Sequence, residues 1–298
     1  MATKKPKTSS KTANKAKTTK SKTTEVTEEK KTETKVEVKK KNFLKGFFAK
    51  KYEEKEGILT VFKNRKFYGA LLGEVFGTMF ISLVLFALSM MNLINLPTYS
   101  FVIVAIFIAV YAFSGASLNP ITTVGLMATR RVSVIRGIMY IIAEVIGAWF
   151  AWMIFNAFHI AGGESAYDIP SISAIGEGKF WVVAMVELIG AISIAFFYAR
   201  AQEYKRSVFT YGAIIAGGLI LAVLTGYVVS AGFLGLENNC IYNPATAMML
   251  QIFPTSGENF GEILGGICQA LSAYAIIPMI GGVIGFYISD FMKKLTED

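Results

Sequence analysis

Six long stretches of apolar residues with almost no charge limit the folds that this chain can adopt. They lie near residues 67–91, 99–115, 137–160, 180–201, 208–233 and 268–290 of the 298 residues. A helix needs about 20 apolar residues to cross the roughly 30 Å hydrocarbon core of a bilayer. A helix on a soluble domain would have a polar face, and FVIVAIFIAVYAF has none. The sequence therefore predicts an all-α membrane protein with six transmembrane helices.

Basic residues are concentrated at one end of the chain and, beyond it, on one side of the predicted spans. Residues 1–66 contain 21 of the 30 Lys and Arg and eight of the 21 acidic residues. The connections on the same side as this segment contain Arg130, Arg131, Arg136, Arg200, Lys205, Arg206, Lys293 and Lys294. Lys179 alone lies on the other side. Because cytoplasmic connections carry the excess of Lys and Arg, we expect a multi-pass cell-membrane protein with both termini in the cytoplasm.

The first 66 residues form a Lys- and Thr-rich segment that is not expected to fold, because it has too little apolar surface to bury. We predict a disordered cytoplasmic tail that is drawn to anionic lipid by its charge. Residues 42–57 are predicted either as an amphipathic helix at the membrane surface or as a solvated linker. Charge alone is weak evidence for nucleic-acid binding, and we expect none. Residues 291–298 are predicted to form the cytoplasmic C-terminus.

The reactive residue types that the sequence lacks exclude several classes of function. Cys240 and Cys268 have no CxxC spacing, and His159 is the single histidine of the chain. We therefore expect no metal, no cofactor and no enzymatic activity. The first long apolar run begins only after residue 66, so no cleavable signal peptide is expected.

The predicted membrane region, residues 67–290, repeats itself. A Glu is followed three residues later by a Gly in the first and fourth spans, and a Tyr is followed seven residues later by a Gly in the third and sixth. The matched residues are Glu74 with Glu187, Gly77 with Gly190, Tyr140 with Tyr274 and Gly147 with Gly281. Each repeat, about 67–160 and about 180–290, contains three spans, so the second enters the membrane from the opposite side. The sequence predicts an inverted 3+3 repeat.

Each repeat also contains an Asn-Pro pair that opens a short apolar run. The two elements are Asn119-Pro120-Ile121 and Asn243-Pro244-Ala245. Asn is a preferred helix N-cap, and Pro is favoured at the first helical position. Since each run has only about ten residues, too few to span a bilayer, we predict two re-entrant half-helices. In an inverted repeat their N-termini meet at the membrane centre, where both Asn side chains direct amide N–H groups at a passing oxygen atom.

These elements resemble a known family. SGASLNPITT and CIYNPATAM are similar to the paired Asn-Pro-Ala signatures of the aquaporins and aquaglyceroporins, the major intrinsic proteins. The resemblance covers nearly all of residues 67–290 and includes the glutamates of spans 1 and 4. It implies a homotetramer with one passively conducting pore per subunit.

Three glutamates within the predicted spans, Glu74, Glu144 and Glu187, are costly in a membrane and need a role. In the family that the chain resembles, the glutamates of spans 1 and 4 accept backbone hydrogen bonds from the Asn-Pro loops. The resemblance thus implies that Glu74 and Glu187 brace these loops. Glu144 has Pro278 as its counterpart, and many relatives have Gln at this position. We favour a loop-bracing role for Glu144, and a proton site in a transporter is the alternative.

The family usually has an Arg directly after the second Asn-Pro-Ala, at the outer constriction of the pore, and this chain has Thr246 there. The remaining constriction residues that the resemblance implies are Cys240, Ala231 and an aromatic residue, either Tyr99 or Phe101. Thr in place of Arg removes a fixed charge and several hydrogen-bond donors, and it leaves more room.

We therefore expect a passive channel for water, small uncharged solutes such as glycerol, or both, with an atypical selectivity filter. Pro278 followed by Met279 is typical of glycerol-conducting relatives, whereas Ala247 stands where they commonly have Asp. Ile121 replaces the usual Ala of the first motif, and we expect it to alter packing more than the width of the pore. The alternatives are a proton-coupled secondary transporter of a small solute and a channel that leaks ions because the Arg is missing.

Overall fold

The computed structural model describes residues 58–90, 96–163, 179–204, 207–229, 240–252 and 259–297, and the regular elements in these ranges are all helices. They are α1 (Ile58–Lys63), α2 (Arg65–Met90), α3 (Leu96–Ser114), α4 (Pro120–Ala128), α5 (Val134–Ala161), α6 (Phe180–Ala201), α7 (Val208–Tyr227), α8 (Pro244–Ala247), α9 (Phe260–Leu271) and α10 (Ile277–Glu297). A 3₁₀ turn follows α6 at Gln202–Tyr204, and π-helical turns extend α8 through Met248–Ile252 and join α9 to α10 through Ser272–Ile276. The prediction of an all-α protein is confirmed.

Within these ranges, five helical segments are long and apolar enough to cross a membrane. They are Arg65–Phe86, Val134–Ala161, Phe180–Tyr204, Val208–Gly226 and Phe260–Glu297, and each overlaps a predicted span. The remaining predicted span, 99–115, coincides with α3, in which Phe101–Ser114 forms a shorter apolar helix. Helices therefore occupy all six positions that the hydropathy of the sequence indicated.

The last helical segment is longer than the predicted span, 268–290, because it begins at Phe260 and ends at Glu297. Its π-helical turn, Ser272–Ile276, ends two residues before Pro278. Proline has no N–H, so the carbonyl four residues earlier loses its α-helical donor. A π-helical turn accommodates such an interruption without ending the helix.

The N-terminal boundary also differs from the prediction. Residues 58–66 were assigned to the tail, yet α1 and the start of α2 lie there. Val61 and Phe67 are buried together with Tyr140 of α5, so this part of the chain has apolar partners that composition alone did not reveal. The predicted disorder of residues 1–57, and the interfacial segment at 42–57, lie outside the described residues.

The two short helices that follow the Asn-Pro pairs are buried between the longer ones. Helix α4 packs on α10, and α8 packs on α5. Ile121 of α4 belongs to one cluster of buried apolar side chains, and Ala245 of α8 belongs to a second. Among the long helices, α2 packs on α5 and α3, α6 packs on α10 and α7, and α3 packs on α7. The irregular backbone before α4 and α8 is therefore enclosed by protein, as membrane depth requires.

Candidate functional site

Both short helices begin with an asparagine cap. The Oδ1 atom of Asn119 accepts a hydrogen bond from the backbone N–H of Ile121 at 2.9 Å, and Pro120 occupies the first helical turn. Asn243 Oδ1 likewise accepts from the N–H groups of Ala245 at 3.1 Å and Thr246 at 3.4 Å. The prediction that the two Asn-Pro pairs cap helices is confirmed, and each side-chain amide is held by its carbonyl oxygen.

The residue before each cap has a left-handed backbone. Leu118 has φ +52° and Tyr242 has φ +51°, a conformation that is unfavourable for residues other than glycine. Such a turn directs consecutive backbone N–H groups to one side, where each needs an acceptor. The structure supplies that acceptor in the form of a buried carboxylate beside each turn.

Glu74 of α2 and Glu187 of α6 are the acceptors, and both are fully buried. The two oxygens of Glu74 accept from the N–H groups of Ser117 at 3.2 Å and Leu118 at 2.7 Å. The two oxygens of Glu187 accept from the N–H groups of Ile241 at 2.7 Å and Tyr242 at 3.1 Å. Each left-handed turn is thus fixed by one carboxylate that uses both of its oxygens.

The two turns are also bonded to each other through the capping asparagines. Asn119 Nδ2 donates to the carbonyl of Tyr242 at 2.7 Å, and Asn243 Nδ2 donates to the carbonyl of Leu118 at 3.1 Å. Each asparagine therefore reaches the residue that precedes the other asparagine. These reciprocal bonds hold the N-terminal ends of α4 and α8 next to each other.

The first turn has a second carboxylate, Glu144 of α5, which is fully buried. Its Oε1 atom accepts from the N–H of Asn119 at 3.2 Å and from the hydroxyls of Ser117 at 3.2 Å and Thr123 at 2.6 Å. Its Oε2 atom is buried and has no hydrogen-bond partner within the described part of the chain. Glu144 thus contacts the first turn through one oxygen, in contrast to Glu74.

Glycines allow the helices to approach the turns and each other. A Cβ atom on Gly77 would lie 2.3 Å from the side chain of Leu118, and one on Gly190 would lie 2.1 Å from the ring of Tyr242. At Gly147 and Gly281, a Cβ would instead meet the backbone of the neighbouring helix, 2.3 Å from the carbonyl of Val75 and 2.8 Å from that of Leu188. Val75 directly follows Glu74, and Leu188 directly follows Glu187. The same two kinds of contact, glycine to turn and glycine to neighbouring helix, therefore occur in both halves of the chain.

The family model described as "Major intrinsic protein" matches residues 61–291 of this chain. The chain belongs to the major intrinsic protein family. Among individual relatives, it is 25% identical to aquaporin-1 of Mus musculus over 186 residues, 60% of each chain. It is 27% identical to aquaporin TIP4-4 of Zea mays over 179 residues, 59% of this chain and 62% of that one. The chain thus spans about 60% of the length of the curated relatives that it matches.

Among solved structures, the chain is similar to the aquaglyceroporin from Plasmodium falciparum. The TM-score is 0.48 and the sequence identity 15%, over 76% of this chain and 95% of the other.

Thr246 directly follows the second Asn-Pro-Ala, at the position where an Arg was expected from the resemblance, and it is fully buried. Its hydroxyl shares a hydrogen bond with the hydroxyl of Ser82 of α2, with 2.8 Å between the oxygens. Cys240 is partly buried, directly before the second turn. The other predicted filter residues are less informative: Ala231 and the side chain of Tyr99 lie outside the described residues, and the side chain of Phe101 is 74% exposed.

Ile121, which replaces the usual Ala of the first motif, is fully buried and packs under α10. A Cβ atom on Gly282 would lie 2.3 Å from the carbonyl of Ile121. The larger side chain is therefore accommodated where α10 has a glycine. No group of three or more His, Cys, Asp or Glu that could hold a metal ion occurs in the part of the chain that the structure describes.

Sequence reasoning did not anticipate three residues at this site. The hydroxyls of Tyr198 and Tyr211 both donate to the carbonyl of Gly115, at 3.0 and 2.6 Å. They are 83 and 96 residues away from Gly115, so local patterns gave no signal for them. A sequence signal for Ser82 was present, because Ser82 lies eight residues after Glu74 and therefore on the same face of a helix.

Proposed function

We propose that the chain is a passive membrane channel for water and small uncharged solutes such as glycerol. The observation that carries the proposal is the reciprocal pair of bonds from Asn119 and Asn243 to the opposite turns. An amide nitrogen has two hydrogens, and the opposite turn takes one of them. Each asparagine therefore keeps one N–H for the oxygen of a solute. Since the amide carbonyls are held by the caps, both donors stay fixed while solutes pass.

The same arrangement opposes cations. The N-terminus of a helix carries about half a positive charge, and the ends of α4 and α8 are held side by side. A solute oxygen is attracted to these ends, whereas a cation or a transferred proton meets a positive potential. The proposed substrates are therefore neutral and rich in hydrogen-bonding oxygen.

We further propose an inverted repeat of six spans and two re-entrant half-helices, with the channel domain at residues 67–290. The contacts that match between the two halves support it: carboxylate to turn, glycine to turn, and glycine to the neighbouring helix. In this architecture Glu74, Glu187 and Glu144 brace the turns. The expected assembly is a homotetramer in the cell membrane with cytoplasmic termini, and residues 1–57 supply positive charge for anionic lipid.

The proposed outer filter consists of Tyr99, Ala231, Cys240 and Thr246. It contains no charged residue, so it selects solutes by size and polarity and lacks the fixed donors that an Arg would provide. A neutral filter suits a solute that is bulkier than water and partly apolar, which favours glycerol.

One observation favours a second candidate function, a proton-coupled transporter. Glu144 Oε2 is buried without a hydrogen-bond partner from any described residue, and Glu144 has Pro278 as its counterpart in the other repeat. A protonatable group of this kind is what a coupled transporter requires. Saturable uptake that a protonophore abolishes supports the transporter, and linear uptake that is insensitive to the protonophore supports the channel.

Stopped-flow light scattering of proteoliposomes tests the channel. Vesicles with the protein are expected to reswell in a glycerol gradient, and to shrink in a sucrose gradient, several-fold faster than protein-free vesicles. Asn243→Ser retains a good N-cap but loses the amide nitrogen, which supplies both the donor to solute and the bond to the Leu118 carbonyl. It should therefore lower both permeabilities at least about tenfold.

The matched control is Asn259→Ser. Asn259 also caps a helix, α9, by accepting from the N–H of Glu262, but it is exposed and lies outside both turns, 16 residues after Asn243. It should leave both permeabilities unchanged. Equal rates for protein-containing and empty vesicles in both gradients would exclude the channel.

A further inference from the structure

One face of α2 carries three polar residues at intervals of four. Glu74, Thr78 and Ser82 are all fully buried, although α2 is one of the apolar membrane-crossing segments. Glu74 accepts hydrogen bonds from the first turn, and Ser82 bonds Thr246 of the second half-helix. A single face of α2 therefore contacts both Asn-Pro elements, about two helical turns apart.

Threonine occupies the third position after both asparagines, as Thr122 and Thr246. The hydroxyl of Thr122 donates to the carbonyls of Ser117 at 2.9 Å and Asn119 at 2.8 Å, which belong to the same Asn-Pro element. The hydroxyl of Thr246 is instead bonded to Ser82, 164 residues earlier in the chain. The orientation of Thr246 thus depends on a side chain from another helix, whereas that of Thr122 does not.

We propose that Ser82 is a specificity-determining residue that holds the hydroxyl of Thr246 against α2 and away from passing solute. This inference rests on the proposed function, in which Thr246 borders the solute path at the outer filter. With its hydroxyl bonded to Ser82 and fully buried, Thr246 presents no accessible hydrogen-bonding group to solute. A wall of this kind favours a solute with a hydrocarbon backbone, such as glycerol, over water, which has none.

The test compares the ratio of glycerol permeability to water permeability in proteoliposomes. Ser82→Ala removes the partner of the Thr246 hydroxyl, which becomes available to solute. A polar wall favours water, so the ratio should fall about fivefold, the effect of one neutral hydrogen bond on a barrier. The double variant Ser82→Ala with Thr246→Val removes both hydroxyls and keeps the volume nearly constant. It should restore the wild-type ratio.

Restoration by a second substitution separates this role from simple damage to the fold. If Ser82 only stabilised the helix contact, Ser82→Ala would lower both permeabilities together, and removing the second hydroxyl would not correct a ratio. Ser193→Ala is the matched control, because the Ser193 hydroxyl is also buried but has no hydrogen-bond partner among the residues that the structure describes. It should leave the ratio unchanged.

A near-isosteric variant, Ser82→Cys, covers the case in which Ser82→Ala fails to fold. The thiol is a weaker hydrogen-bonding group than the hydroxyl, so the ratio should fall by a smaller factor in the same direction. If the wild-type protein conducts neither solute, the proposed channel itself is wrong. If the wild type conducts but the Ser82 variants keep its ratio within twofold, or the double variant keeps the ratio of Ser82→Ala, the role of Ser82 is wrong.

Discussion

The carboxylates that hold the two turns differ in how many of their oxygens accept hydrogen bonds. This difference predicts how well each position tolerates replacement of Glu by Gln. Glu74 accepts backbone N–H groups on both oxygens, so Glu74→Gln would place an NH₂ group against a donor. We expect a loss of about 2–3 kcal/mol in the free energy of unfolding. Glu144 accepts on one oxygen only, so Glu144→Gln keeps its acceptor and should cost under about 1 kcal/mol. Thermal unfolding of the detergent-solubilised protein measures both.

Two further variants serve as controls for this contrast. Glu187 also uses both oxygens, so Glu187→Gln should behave like Glu74→Gln. Glu144→Ala removes the acceptor of Ser117, Asn119 and Thr123, and should be far more destabilising than Glu144→Gln. Equal losses for Glu74→Gln and Glu144→Gln would contradict the difference in hydrogen bonding between the two carboxylates.

Single residues of the site were predictable where their chemistry is local. An Asn-Pro pair predicts a capped helix because the cap depends on residues within one turn. The backbone donors of Glu74 and Glu187 lie more than 40 residues away and were expected only from the resemblance to the family. The rotamer of Thr246 was not predictable in this way. It depends on Ser82, which the sequence places on the same face of α2 as Glu74, but the sequence does not indicate that this face also contacts α8.

Between helices, close approaches occur at glycines in both halves. A Cβ atom on Gly147 would lie 2.3 Å from the carbonyl of Val75, and one on Gly281 would lie 2.8 Å from that of Leu188. Backbone cannot yield as a side-chain tip can, so Gly147→Ala and Gly281→Ala should each separate a helix pair, α2 from α5 or α6 from α10. We expect each to cost about 1–3 kcal/mol of unfolding free energy, with Gly147→Ala the more severe.

The matched control is Gly217→Ala in α7. A Cβ atom there would have no neighbour within 4 Å in the described ranges, and Ala is the better helix former by about 1 kcal/mol. Its unfolding temperature should stay the same or rise. A fall at Gly217 as large as that at Gly147 would mean that the close approach is not what makes Gly147 sensitive.

The helices themselves were predictable because apolar length is a strong signal, while their irregular joints were not. The apolar run predicted the sixth span at 268–290. It indicated neither the start of the helix at Phe260, next to polar residues, nor the π-helical turn before Pro278. The repeat was visible in the sequence because the contacts of Gly147 and Gly281 leave no room for a larger residue.

Over the whole molecule, the proposed barrier to cations rests on two helix ends and on no fixed positive charge. Residues 115–123 and 240–247 contain no Lys or Arg, and the N-termini of α4 and α8 each contribute about half a positive charge. We expect planar bilayers containing the protein to show no K⁺ or Na⁺ current above the lipid background, although vesicles of the same preparation pass glycerol.

Thr246→Arg tests whether that barrier is sufficient. The variant restores the charge that most of the family carries and narrows the path, so glycerol permeability should fall at least tenfold. Because the two helix ends already exclude cations, the background current should not change. A cation current through the wild-type protein that Thr246→Arg abolishes would show that two partial charges are too weak without the Arg. In that case the chain would be the ion-leaky channel, and a filter with the neutral Thr246 would let cations pass as well as bulky neutral solutes.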